Sequence, residues 1–92
     1  TAFAAAKAGL RALAQGMARE FSPQGIHIVH TIIDGVIDGE RARNQFPDYV
    51  KTKGKDGLLQ LDAIAETYWA MHAQHPSAWT HELDLRPFKE PF

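Results

Sequence analysis

The chain has 92 residues, ten Lys and Arg against eleven Asp and Glu, a formal charge of -1, and 45% hydrophobic residues. The length suits one small domain, the balanced charge sets up no long-range field toward nucleic acid or an anionic membrane, and the hydrophobic share is too high for a disordered chain. There is no cysteine, hence no disulfide framework and no thiolate metal site; no apolar run approaches the ~18 residues of a membrane span, and the Ala-rich start lacks the basic and apolar regions of a signal peptide. The expectation is a cytoplasmic protein with no nucleic-acid or membrane partner.

A helix is expected over residues 1–21, "TAFAAAKAGLRALAQGMAREF". At 100° per residue, Phe3, Ala6, Leu10, Leu13, Met17 and Phe21 form a broad apolar stripe, while Ala5, Ala8, Gly9, Ala12 and Gly16 form a second face of small residues. An ordinary surface helix has one apolar face; two imply a sandwiched helix whose small side admits close approach of another backbone. Ser22-Pro23-Gln24-Gly25 turns the chain. Residues 26–34, "IHIVHTIID", are β-branched and apolar on both faces, the mark of a strand covered on both sides in a parallel sheet. Residues 35–61 are irregular, with room for a short helix broken at Pro47, and a stretch of this length often serves as a lid or binding loop. Asp62 reads as the N-cap of a helix over residues 62–75, with Ile64, Tyr68 and Met71 on one face and His72 and His75 in the last turn. Residues 79–87, "WTHELDLRP", alternate in the manner of a half-exposed edge strand. The first helix, its Gly-containing turn and the strand over residues 26–34 form one half of a βαβ unit, and the whole order is helix, strand, loop, helix, strand.

Most of the chemistry-bearing residues have a plain structural reading. His72 and His75 share a helix face but lack a third ligand, while His27 and His30 on a strand point to opposite faces. Ser22 and Ser77 lie in helix-ending turns beside proline. Asp34-Gly35 and Asp38-Gly39 lack the alternating oxygen ligands of a calcium loop. Lys7 lies at the margin of the apolar stripe beside Phe3. It either snorkels its ammonium to solvent, which spacing alone favours, or is held in a cleft for use.

Taken in order, these pieces resemble the C-terminal part of a short-chain dehydrogenase/reductase from end to end. The family's Tyr-x-x-x-Lys helix matches Phe3-Ala4-Ala5-Ala6-Lys7, and its strand ending in Pro-Gly matches "QGIHIVHTIIDG", with Asp34-Gly35 at the Pro-Gly position. "DAIAETYWAMHAQHPSAWTHELDLRP" resembles the penultimate helix and last strand. The resemblance implies an α/β fold, the C-terminal fragment of a Rossmann-like doubly wound parallel sheet. Its pyrophosphate-binding turn and catalytic serine would lie in a missing N-terminal half.

By the same resemblance, the parent protein would transfer hydride between NAD or NADP and a carbonyl or alcohol carbon, and the isolated chain would hold no cofactor. Lys7 would be the catalytic and ribose-binding lysine. Asp34, Gly35 and Val36 would belong to the loop that meets the nicotinamide. Phe3 takes the tyrosine position without an ionisable proton, so ordinary tyrosine-dependent chemistry is not expected. Asp34 and Asp38 replace the family's Pro and Thr, and two carboxylates there would repel a cofactor's phosphates. Residues 39–61 would be the variable lid over the substrate. The partners implied are the missing half of the same fold and a second copy, paired through helix 1–21 and through bare strand edges. A self-associating or partner-docking α/β module without enzymatic activity is the alternative reading.

Overall fold

The computed structural model describes residues Thr1–Phe92. The elements are α1 (Ala2–Phe21), β1 (His30–Ile33), α2 (Glu40–Gln45), α3 (Pro47–Lys53), α4 (Leu61–His72) and β2 (Glu82–Leu85), with short 3-10 turns at Ser22–Gln24 and Pro76–Ala78. β1 and β2 pair in a two-stranded sheet. The His30 N–H donates to the His81 carbonyl at 2.8 Å and the Asp34 N–H to the Leu85 carbonyl at 2.9 Å. Both partners advance together along the chain, so the pair is parallel. Two compact units make up the molecule: Thr1–His30 with Gln74–Leu83, and Thr31–Ala73 with Asp84–Phe92.

In the first unit, α1 is built from strong helix formers. It gives way at Ser22 to a 3-10 turn with Pro23 inside it, and Gly25 closes that turn at a φ of 84°. Only Ala14 of α1 is buried. Phe3 is 75% exposed and Leu13 59% exposed, so the sandwich expected from the two apolar faces is not completed within these 92 residues. The strand expected over residues 26–34 begins at His30 instead. Histidine side chains account for the difference, because they take carbonyls that a ladder would otherwise use. His27 Nε2 lies 2.7 Å from the Thr80 carbonyl and His81 Nδ1 lies 3.2 Å from the Ile28 carbonyl. A carbonyl can only accept, which places a proton on each of those two nitrogens. The His27 ring also stacks on Trp79, with centroids 4.5 Å apart and planes 5° from parallel.

The expected last strand over residues 79–87 is likewise confined to Glu82–Leu85. Thr80 is held by a side chain rather than by a strand: Gln74 Oε1 accepts from its N–H at 2.8 Å, and Gln74 Nε2 donates to its hydroxyl at 2.7 Å. His75 lies beyond the preceding helix and caps the Pro76–Ala78 turn, its Nδ1 accepting from the Ser77 N–H at 3.1 Å. Glu82 pairs with Arg11 of α1 at 3.0 Å.

The second unit holds the other buried apolar residues: Ala42, Leu58, Leu59 and Met71. Three of these lie in residues 35–61, a stretch expected to be irregular in which two short helices form. α2 and α3 have six and seven residues, too short to display helical periodicity in sequence. α3 starts with Pro47, carries Asp48 in its first turn and carries Lys51 and Lys53 in its last. Both the proline position and the charge order suit a helix and its dipole. α3 ends at its C-cap Gly54, whose φ of 69° leaves the helix, and Gly57 then lies so close to the Lys53 carbonyl that a Cβ there would run into it. Leu59 then forms a parallel bridge with Ile37, donating to the Val36 carbonyl at 2.9 Å and accepting from the Asp38 N–H at 2.7 Å. α4 begins at Leu61, one position ahead of the expected N-cap Asp62, and ends at His72. Asp62 sits inside the first turn, where a carboxylate meets the helix dipole without capping it.

Two contacts fix the segment after β1. Gly35 has a φ of 151°, and a Cβ built on it would stand 2.7 Å from Pro87 Cδ. Asp38 accepts from Arg43 Nε on one carboxylate oxygen and from Gln60 Nε2 on the other, each at 2.9 Å. The Arg43 hydrogen bond first, and the Gln60 hydrogen bond second, hold its carboxyl below the ordinary value of 3.8.

Gly35→Ala should destabilise the chain by about 1–3 kcal/mol in chemical denaturation, part from the backbone conformation and part from the clash. Pro87→Ala in the same chain should recover only the clash; wild-type stability for the single variant would contradict this geometry. For Asp38, the folded chain favours the ionised form. Its contribution to stability is therefore full above 3.8 and is lost as pH falls through the lowered folded value. An NMR carboxyl titration should place its midpoint below 3.8, with Arg43→Ala returning more of the displacement than Gln60→Ala. Identical midpoints in all three chains would show that neither partner holds the carboxylate.

Candidate functional site

The residues singled out in sequence fall in both units. Phe3 and Lys7 belong to the first; Asp34, Gly35, Val36 and Asp38 belong to the second. Phe3 and Lys7 lie one helical turn apart on α1, a spacing that brings side chains together on one face. The Lys7 ammonium stands 5.4 Å from the centroid of the Phe3 ring, within reach of a cation–π attraction worth about 0.5–1 kcal/mol at an exposed site. Both residues are exposed. Lys7 thus takes the solvent-facing course that spacing alone favours, and its ammonium is engaged by no carboxylate. Its three N–H donors face water rather than an internal partner.

The turn after β1 is made of backbone. The Asp34 N–H is spent on Leu85, the Val36 carbonyl on Leu59, and the Asp38 N–H on the Leu59 carbonyl. The N–H groups of Gly35 and Val36 make no backbone hydrogen bond, so they are the donors this turn can present to a ligand. Gly35 is locked between Pro87 and Leu59: a Cβ there would lie 2.7 Å from one and 3.7 Å from the other.

The two carboxylates at this turn carry cationic partners that sequence reasoning missed. Asp34 Oδ2 lies 3.4 Å from Arg86 Nη1 and Asp38 Oδ1 lies 2.9 Å from Arg43 Nε. Their expected repulsion of phosphate is accordingly weakened, since each negative charge is matched by a guanidinium within ion-pair distance. Arg43 and Gln60 carry no motif and could not have been selected from the sequence. Arg86 gave one usable signal, as the basic residue that ends an alternating strand pattern. The histidines are not gathered: no group of three or more His, Asp or Glu side chains is placed to hold a metal ion. No helix is long and apolar enough to cross a membrane.

No protein-family model matches the chain, and no curated protein matches it. A solved structure does. The crystal structure of a short-chain dehydrogenase from Rhodopseudomonas palustris is 40% identical, with a TM-score of 0.62, over 96% of this chain and 30% of that one. The chain thus spans about 30% of the length of the dehydrogenase it matches. Its helices and small parallel sheet match a piece of the Rossmann-like fold of a short-chain dehydrogenase, the fold class that the resemblance implied.

Proposed function

We propose that the chain is the C-terminal segment of a cytoplasmic, NAD(P)-dependent short-chain oxidoreductase and that the isolated 92 residues are inactive. The observation that carries this reading is the 40% identity to a short-chain dehydrogenase across 96% of the chain. A bound nicotinamide would supply the hydride acceptor or donor. Lys7 offers an uncommitted ammonium on an exposed helix face, suited to ribose hydroxyls. Gly35 and Val36 offer two backbone N–H donors on a turn packed beside Pro87, suited to a carboxamide oxygen. The Arg86 and Arg43 partners of Asp34 and Asp38 lower the electrostatic cost of bringing phosphate near that turn. Phe3 stands at the position that the resemblance assigns to the proton-transferring tyrosine. With a phenyl ring there, proton transfer falls to another group or the parent protein binds cofactor without turnover.

A second reading is a non-enzymatic module that self-associates or docks on a partner through α1 and the sheet edges. It is favoured by the exposure of Phe3 and Leu13 together with Trp69 at 70%, and by a two-stranded sheet whose strands each keep one unpaired edge.

Calorimetry should detect no binding of NAD(H) or NADP(H) by the isolated chain at millimolar ligand. The same chain extended N-terminally through its own reading frame should bind, and Lys7→Ala in that extended protein should weaken binding by roughly tenfold, as for loss of a charge-assisted hydrogen bond. Tight binding by the isolated chain, or extended-chain binding indifferent to Lys7, would refute the first reading. For the second, light scattering should return a mass above the 10.2 kDa of one chain. Leu13→Glu should shift it back toward the monomer, and a monomer mass at all working concentrations would dispose of self-association.

A further inference from the structure

The residues after β2 are held far more firmly than an exposed tail requires. Arg86 is the hub. Its Nη2 donates to the Glu90 carbonyl at 3.0 Å and to the Pro91 carbonyl at 2.9 Å, and its guanidinium lies 3.5 Å above the centroid of the Phe92 ring. Its Nη1 faces the Asp34 carboxylate at 3.4 Å. One side chain, only 18% exposed, therefore joins the segment Pro87–Phe92 to the turn after β1. A second tie comes from α3. Lys53, its last residue, pairs with Glu90 at 3.2 Å, and both side chains are about four-fifths covered, at 17% and 21% exposure. The Glu90 hydrogen bond holds the Lys53 ammonium in its charged form above its ordinary range. A backbone turn from Pro87 to Glu90, closed at 3.0 Å, sets Glu90 where both ties reach it.

We propose that Pro87–Phe92 is a strap that fastens the C-terminal end of α3 to the Asp34–Gly35 turn, with Arg86 and Lys53 as its two buckles, and that it sets the order of the α2–α3 segment. Neither buckle alone explains the arrangement. Lys53 positions α3 through Glu90, and Arg86 positions Glu90 through its carbonyl while holding Asp34. Loosening the strap frees α3, whose seven residues are too few to form a stable helix without tertiary support. None of this depends on nicotinamide chemistry, since every tie of the strap is a contact between residues of the chain itself.

The test is amide hydrogen exchange on the 92-residue chain, read over Val50–Lys53 with α1 as the internal reference. Glu90→Gln and Arg86→Lys should each speed exchange in α3 by about two- to fivefold, the scale of one partly covered ion pair, with rates in α1 unchanged. The exchanged pair Lys53→Glu with Glu90→Lys should restore wild-type rates in α3. Unchanged α3 exchange in both single variants would overturn the strap. So would acceleration spread equally over α1 and α3, which would mark a general loss of stability. Arg86→Lys keeps the charge and most of the packing, so the comparison stands if Glu90→Gln fails to fold.

Discussion

Much of the second unit turns on a single close approach, that of Gly35 to Pro87. A side chain at residue 35 would occupy space already taken by the proline ring, so the backbone after β1 can lie against the residues after β2 only because Gly35 has no Cβ. The approach aligns the segments on either side of it. Val36 and Asp38 come into backbone register with Leu59, and Asp34 comes within reach of Arg86. Leu58 and Leu59, with exposures of 4% and 9%, are drawn into the interior by the same alignment. The candidate turn is therefore a consequence of packing and not a loop laid over it.

Electrostatics changes the meaning of that turn. Two aspartates within a few residues of a glycine look hostile to a phosphate-bearing ligand when only sequence is considered. In the structure each has a guanidinium beside it, and Asp38 also accepts from Gln60. For Asp38 the hydrogen bonds from Arg43 and Gln60 stabilise the charged form and hold the carboxyl below its ordinary range, and the adjacent guanidinium weakens its outward field. The acidic pair thus works as internal fastening: Asp38 to α2 through Arg43, and Asp34 to the chain beyond β2 through Arg86.

The sequence made some of this legible and hid the rest for identifiable reasons. α1 was readable because a twenty-residue stretch rich in Ala, Leu, Arg and other helix formers ends at a Ser-Pro-Gln-Gly turn. The α/β class came from a β-branched run after a helix, a pattern that depends on local chemistry alone. The start of β1 was not readable, because it depends on His27 and His81 taking carbonyls across 53 positions of sequence. α2 and α3 were obscured by brevity: six or seven residues complete fewer than two turns, so no periodicity can develop. Of the candidate site, Lys7 and Gly35 were selected through the resemblance, by their match to the family's Tyr-x-x-x-Lys helix and strand-ending Pro-Gly. Arg43, Gln60 and Arg86 were not, since an isolated polar residue carries no record of its partner.

The first unit presents the opposite balance between pattern and packing. Its helix carries a large-residue face and a small-residue face, yet only Ala14 is covered. Burial of apolar area is worth roughly 25 cal/mol per Å², so leaving Phe3, Leu10 and Leu13 in water forgoes a contribution that the second unit secures through Leu58, Leu59 and Met71. Sequences that leave such faces bare are prone to association, and contiguous exposed apolar surface commonly marks an interface. The outer edges of β1 and β2 add unpaired backbone groups, which favour further strands. Both readings of the chain meet the same physical demand by different means. In one, covering elements of a larger Rossmann-like sheet flank α1 and the strands; in the other, a second molecule does. The small face, where Gly9 and Gly16 have nothing within 4 Å of an added Cβ, would admit either neighbour at backbone distance.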